Sequence, residues 1–162
     1  MPDEMDRVLF SAVLVAAAGS AIVGGIFYGF SSFVMKALAR VTAEQGVAAM
    51  NSINVVVINP SFMLPFVGTA LLCLVLAAGS YFWWPQMSGK IVLVAALLYV
   101  VGTFGLTMVL NQPLNLKLAA MPARQAVAYW PRYVETWTRW NHVRTAASLL
   151  AAMLFVGAVV VK

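Results

Sequence analysis

The chain has 162 residues, a formal net charge of +5 and a mean hydropathy of +0.92; 63% of its residues are hydrophobic and 9% charged. Soluble domains carry about a quarter charged residues, so this composition excludes an ordinary water-soluble domain. In a chain that lies largely in lipid the basic surplus reports membrane orientation first, and no nucleic-acid partner is expected.

The leader MPDEMDR is acidic, and the apolar run behind it extends to about Leu38. A secretory leader starts basic and has a short apolar region. Ala16-Ala17-Ala18 resembles a cleavage site but is therefore read as part of a first transmembrane span, roughly 8–35. About 20 apolar residues cross ~30 Å of hydrocarbon. The G-x-x-x-G of Gly25 and Gly29 permits close helix approach in lipid. The span ends in GIFYGFSSFVMKALAR, where aromatics and two serines precede Lys36 and Arg40.

The segment 41–58, VTAEQGVAAMNSINVVVI, starts too polar to cross. It is expected to form a short extra helix lying on or dipping into the membrane surface, with Asn51 and Asn54 as neighbours on one face. Asn59-Pro60 punctuates it, because a residue before proline avoids helical angles. The second span, roughly 61–84, holds the single cysteine, Cys73, which excludes an intramolecular disulfide and a CxxC pair. WWPQMSGK, 83–90, is expected to turn tightly, with Trp83 and Trp84 in an interfacial aromatic belt.

The third span, roughly 90–111, carries Tyr99, Thr103, Thr107 and Asn111 at four-residue intervals, a slowly drifting helical stripe. Pro113 is expected to interrupt the helix just after Asn111, and Asn115 follows. The fourth span, roughly 141–161, is preceded by the dense cluster ETWTRWNHVRT. At about 100° per residue, Tyr133, Trp137, Trp140, Asn141, Arg144 and Ser148 share one arc. Arg132, Glu135, Arg139 and His142 fall on the opposite face, which reads as solvated. The lone His142 excludes a bis-His haem or a multi-His metal site within one chain, although a symmetric oligomer sharing such ligands stays open.

Arg144 has two readings. It snorkels to lipid phosphates, or it is buried and needs partners, because an unpaired buried charge costs several kcal/mol. No acidic residue lies within the four spans. Its partners would then be Asn111, Asn115, Asn141, backbone carbonyls or an anionic ligand group. Trp137 and Trp140 are likewise belt residues or pocket walls, and the third-span threonines bond either to their own helix or inward. Polar stripes on two helices and the amides Asn51, Asn54 and Asn59 converge on one membrane side, which favours a polar-capped pocket there.

Both termini and the 84–90 turn carry Arg7, Lys90 and Lys162; the other side carries Lys36, Arg40, Lys117, Arg124, Arg132, Arg139 and Arg144. The positive-inside rule puts the longer connections in the cytoplasm and both termini outside. The expected architecture is all-α: one domain over 1–162, an integral four-helix bundle, multi-pass in a bacterial-type inner membrane, in contact with membrane lipid. A homo-oligomer stays open.

GIFYGFSSFVMKALAR, MNSINVVVINPSF, YVVGTFGLTMVLNQPLN and WPRYVETWTRWNHVRT together resemble the anthrone oxygenase-like family of small four-span membrane proteins, over roughly 10–160. The most specific pieces are N-x-P-x-N at Asn111, Pro113 and Asn115, and W-x-x-W-N-x-x-R at Trp137, Trp140, Asn141 and Arg144. The resemblance implies oxidation of a lipophilic anthrone-type aromatic by dioxygen, with no cofactor and no metal. Arg144, Asn141, Asn111 and Asn115 would stabilise the enolate-like anion. Trp137, Trp140, Tyr133, Thr107 and Asn54 would bind the substrate. Missing is a base: His142 or a water held by the asparagines would have to serve. The alternative is a non-catalytic membrane protein that binds a lipophilic or anionic small molecule, or a membrane partner. A transporter ranks last, because proton-coupled exporters carry an intramembrane carboxylate and Glu44 and Glu135 lie in connecting segments.

Overall fold

The computed structural model describes residues 2–83 and 87–161, with side-chain surroundings for 7–82 and 88–161. Every element among them is helical. Four helices are long and apolar enough to cross a membrane: α1 (Arg7–Leu38), α3 (Pro60–Phe82), α4 (Ser88–Ala120) and α5 (Ala123–Val160). The expected extra helix, α2 (Ala43–Val56), joins α1 to α3. The turn at 83–90 with its Trp83–Trp84 belt lies largely outside the described residues.

Local chemistry sets the boundaries of α2. Thr42 accepts from the Gln45 backbone N–H, and the Gln45 side chain accepts from the Thr42 N–H, so two orphan donors are satisfied reciprocally. Asn59 then caps α3 by accepting from Phe62 N–H, with Pro60 in the first turn where its missing donor costs nothing.

The helices close a ring in which α1 packs on α3 and α5, and α4 packs on α3 and α5. Small residues allow the approach. A Cβ on Gly24 would sit 2.8 Å from a Leu149 methyl, and one on Gly102 would sit 2.7 Å from the Ala147 Cβ. At about 1.5 Å per residue, the 38 residues of α5 exceed the ~30 Å hydrocarbon core almost twofold. The α4–α5 hairpin therefore projects past the lipid interior, and α2 folds back against it. Two apolar cores result. One lies among the spanning helices around Val23, Phe66, Tyr99 and Phe155; the other joins Met35, Met50, Leu118, Trp130, Tyr133 and Trp137 beneath α2.

Near the boundary between these cores three helices widen into π-type turns: Phe30–Val34 in α1, Leu64–Gly68 in α3 and Thr107–Asn111 in α4, the last preceded by Leu98–Gly105. Such turns re-aim side chains and concentrate at functional sites. They also correct one expectation. Pro113 does not end the helix, which continues from Gln112 to Ala120. The widened turn before it shifts the bonding register, with Gln112 N–H donating to the Thr107 carbonyl, and gives the ring room that a regular α-turn lacks.

Gly46 marks where α2 touches α5: a Cβ there would lie 2.6 Å from two carbons of the Trp130 indole. Gly46→Ala is expected to cost about 1–3 kcal/mol through overpacking. Thermal unfolding in detergent measures it; an unchanged melting temperature would show that α2 is not held against α5.

Candidate functional site

The site is built around a guanidinium. Arg144 is 3% exposed, and its neighbours are neutral. Its Nη1 donates to Thr107 Oγ1 at 3.0 Å, and its Nη2 donates to Asn141 Oδ1 at 2.6 Å. Its Cζ lies 4.2 Å from the centre of the Phe27 ring and 5.1 Å from that of Trp137. Two aromatic faces thus replace water around the cation, a cation–π arrangement that strengthens as water is removed. Its Nε is buried with no hydrogen-bond partner. The one salt bridge among the described residues, Arg139–Glu135, is elsewhere.

Each partner is itself held. Asn141, fully buried, uses its amide N–H groups on the Phe27 carbonyl and on Ser31 Oγ, both at 2.7 Å. This tie from α5 to α1 leaves Asn141 Oδ1 aimed at Arg144. Ser31 also bonds to Thr145, which donates to the Asn141 carbonyl. Thr107 donates to the Thr103 carbonyl at 2.7 Å, so its oxygen is free to accept from Arg144. Threonine back-bonding and the inward role, offered as alternatives by the sequence, therefore occur together. Asn115 Oδ1 collects two donors, the Tyr133 hydroxyl at 2.8 Å and the Trp137 indole N–H at 2.9 Å. Asn111, 1% exposed, donates to the Trp137 carbonyl and leaves its own Oδ1 unpartnered.

Beside Arg144 lies a cavity of about 100 Å³. Arg144, Trp137, Thr107, Asn115 and Asn54 line it, with Phe27, Phe30 and Phe62 among the aromatic walls and Met50, Ile53 and Val57 closing it from the α2 side. Buried Asn54 Nδ2 and Asn51 Oδ1, both on α2, have no partner. Asn141, Asn111 and Tyr133 stand behind the lining and orient it. Trp140 is only partly buried and does not line the cavity. No group of three or more His, Cys, Asp or Glu comes together among the described residues.

The sequence reading did not assign Phe27, Phe30, Phe62 or Ser31 to the site. Phe27, Phe30 and Ser31 lie in the aromatic and serine stretch FYGFSS and Phe62 in NPSF, and the bonds from Asn141 that give Phe27 and Ser31 their roles reach across more than 100 residues. The solvated face is as expected: Arg132, Glu135, Arg139 and His142 are exposed, and Arg139 bonds Glu135 at 3.1 Å across one helical turn. Exposed pairs of this kind contribute a few tenths of a kcal/mol. Glu135→Gln is thus expected to shift stability by less than about 0.5 kcal/mol; a larger loss on thermal unfolding would place Glu135 in the buried network.

The fold and this site define a multi-pass four-helix membrane protein with a buried, acid-free guanidinium beside an aromatic cavity. The chain belongs to the anthrone oxygenase family, whose profile matches residues 60–154. That stretch covers α3, α4 and most of α5, and so Thr107, Asn111, Asn115, Tyr133, Trp137, Asn141 and Arg144. Comparison with curated proteins and with solved structures gives no match.

Proposed function

We propose that the cavity binds a lipophilic, enolisable aromatic ketone of the anthrone type and that the protein oxygenates it with dioxygen without a cofactor. The observation that carries this reading is Arg144, buried in a cavity wall without an acidic partner and with an unpartnered Nε–H. A cation so placed stabilises an anion that develops beside it, and in a water-poor site it acts without reorganising. Loss of the benzylic proton gives an enolate whose oxygen is held by Arg144. The electron-rich carbon then bonds to dioxygen, and the hydroperoxide loses water to leave the quinone carbonyl. One dioxygen is consumed per anthrone, with one oxygen atom in the product and one in water. Trp137, Phe27 and Phe62 supply flat apolar walls, while Asn111, Asn115 and Asn141 fix the groups that touch the ligand.

The cavity is smaller than the ~150 Å³ that accommodates benzene, so a three-ring substrate enters only if the α2 side opens. Ile53 and Val57 on that side are partly exposed, which makes it the natural route from lipid. A second reading rests on a specific observation: no Asp, Glu or His lines the cavity. In the catalytic reading a water between Asn54 and Asn115 takes the proton; in the alternative the protein only binds the lipophilic molecule.

Oxygen uptake by purified protein with a model anthrone under air tests the proposal. Uptake matched by anthraquinone formation, above the spontaneous rate, is expected. Background uptake with the ligand still bound would leave the binding reading alone.

A further inference from the structure

The seam between α1 and α5 has a second side, facing away from the aromatic cavity. Near the end of α1 it opens into a groove of about 500 Å³ between Ser31, Met35 and Lys36 of α1 and Thr138, Arg139 and His142 of α5. Its charged lining is Lys36, Arg139 and Glu135, and Glu135 is already bonded to Arg139. Lys36 has no ion-pair partner among the described residues. It also lines an adjoining groove with Arg40, so the rim has a basic surplus. Thr138 Oγ1, in the groove lining, is buried without a hydrogen-bond partner, whereas a mid-helix threonine commonly bonds to the carbonyl one turn back.

Farther along the same seam is an apolar groove, also of about 500 Å³, between Ala17, Ala18 and Ala21 of α1 and Ala152, Met153 and Val156 of α5. Thr138 and Val156 are five full turns apart, as are Glu135 and Met153, so both grooves lie on one face of α5. Between them Gly25 and Ala146 are exposed, and a Cβ added to Gly25 would meet nothing within 4 Å. Small side chains thus stand between the two grooves at these positions, with the exposed Tyr28 ring beside them. From His142 to Val156 the helix rises about 21 Å, close to the ~20–22 Å of one leaflet with its headgroups.

We propose that this seam is a binding site for one anionic phospholipid. Its phosphate lies among Lys36, Arg139, His142 and Thr138, and one acyl chain follows the furrow past Gly25 to Ala21 and Met153. Charge decides the occupant. A second copy packed through the Gly25–Gly29 face would bring its own Lys36 and Arg40 against the first set, a like-charge contact that a phosphate diester reverses. The site is separate from the aromatic cavity yet linked to it: Ser31 in the groove lining accepts from Asn141, which holds Arg144.

The test uses the full chain in nonionic detergent, stripped of lipid and followed by native mass spectrometry and thermal unfolding. Phosphatidylglycerol, phosphatidylcholine with the same acyl chains, and inorganic phosphate are added separately. One phosphatidylglycerol per chain is expected to bind, with about tenfold or greater preference over phosphatidylcholine, in line with the attraction of surface cations to anionic lipid. Phosphate alone is expected to leave the melting temperature unchanged. Lys36→Gln/Arg139→Gln, both exposed positions, is expected to reduce the preference to within about threefold. Gly25→Leu, whose side chain enters open space, is expected to weaken phosphatidylglycerol binding about tenfold, at the scale of a few methylenes of lost chain contact, without lowering lipid-free stability. Equal binding of both lipids to the unsubstituted chain would overturn the proposal, as would a preference that survives charge removal or stabilisation by phosphate alone. A Gly25→Leu chain that loses a dimer while keeping lipid binding would assign the furrow to a second copy and overturn it too.

Discussion

Arg144→Ala is expected to lower anthrone-dependent oxygen uptake about 100- to 1,000-fold, the scale seen when a donor to a developing oxyanion is removed. The loss should fall mainly on kcat, because the enolate carries the charge that the guanidinium stabilises and the neutral ketone carries little. Binding of a redox-inert anthraquinone should weaken much less. Arg144→Lys should not restore the rate. An ammonium is a point donor and cannot reproduce the planar fork that reaches both Thr107 Oγ1 and Asn141 Oδ1. Steady-state oxygen consumption over a substrate series separates kcat from KM. Full activity in Arg144→Ala would remove the guanidinium from the chemistry.

Asn141→Leu is expected to be the most destabilising polar substitution in the bundle, by about 3–5 kcal/mol. Its amide donates to the Phe27 carbonyl and Ser31, and its carbonyl accepts from Arg144. Removing it leaves a buried cation whose remaining hydrogen-bond acceptor among the described residues is Thr107, and uncompensated buried charge is what makes such losses large. Asn141→Leu/Arg144→Met should recover a substantial part of that loss, because taking away both partners removes the stranded charge as well. Thermal unfolding of the two single variants and the double variant in one detergent measures the coupling. Additive effects would mean that the short Asn141–Arg144 bond carries no special stability.

These two residues show how much of the site could be read in one dimension. The face of α5 was legible because that helix is regular across the cluster, so a 3.6-residue period puts Tyr133, Trp137, Asn141, Arg144 and Ser148 together, and all five are buried. Trp140 shared the calculated arc at its edge, yet it is partly exposed, because periodicity fixes direction and not whether a neighbour stands there. The stripe of Tyr99, Thr103 and Asn111 is buried as its spacing implied, although the helix carrying it is widened. The same widening is why Pro113 misled: the rule that proline ends a helix assumes regular bonding to the fourth residue back, and here the register has already shifted. The four spans were plain from apolar length alone. Their overrun beyond the membrane was not, since the end of α4 and the start of α5 are polar there and gain burial from each other, from α2 and from Met35 of α1. Phe27 and Ser31 were out of reach for a related reason. FYGFSS marks them as an aromatic and a polar residue and no more, and their roles arise from contact with α5.

In the proposed reaction the substrate reacts in the space between Phe27, Trp137 and Arg144. A structure of the protein with a bound, redox-inert anthraquinone tests it most directly. The flat rings are expected against Phe27 and Trp137, with an oxygen within hydrogen-bond distance of Arg144 Nε and α2 displaced outward to make room. Rings bound elsewhere, with the Arg144 cavity still closed at about 100 Å³, would contradict it.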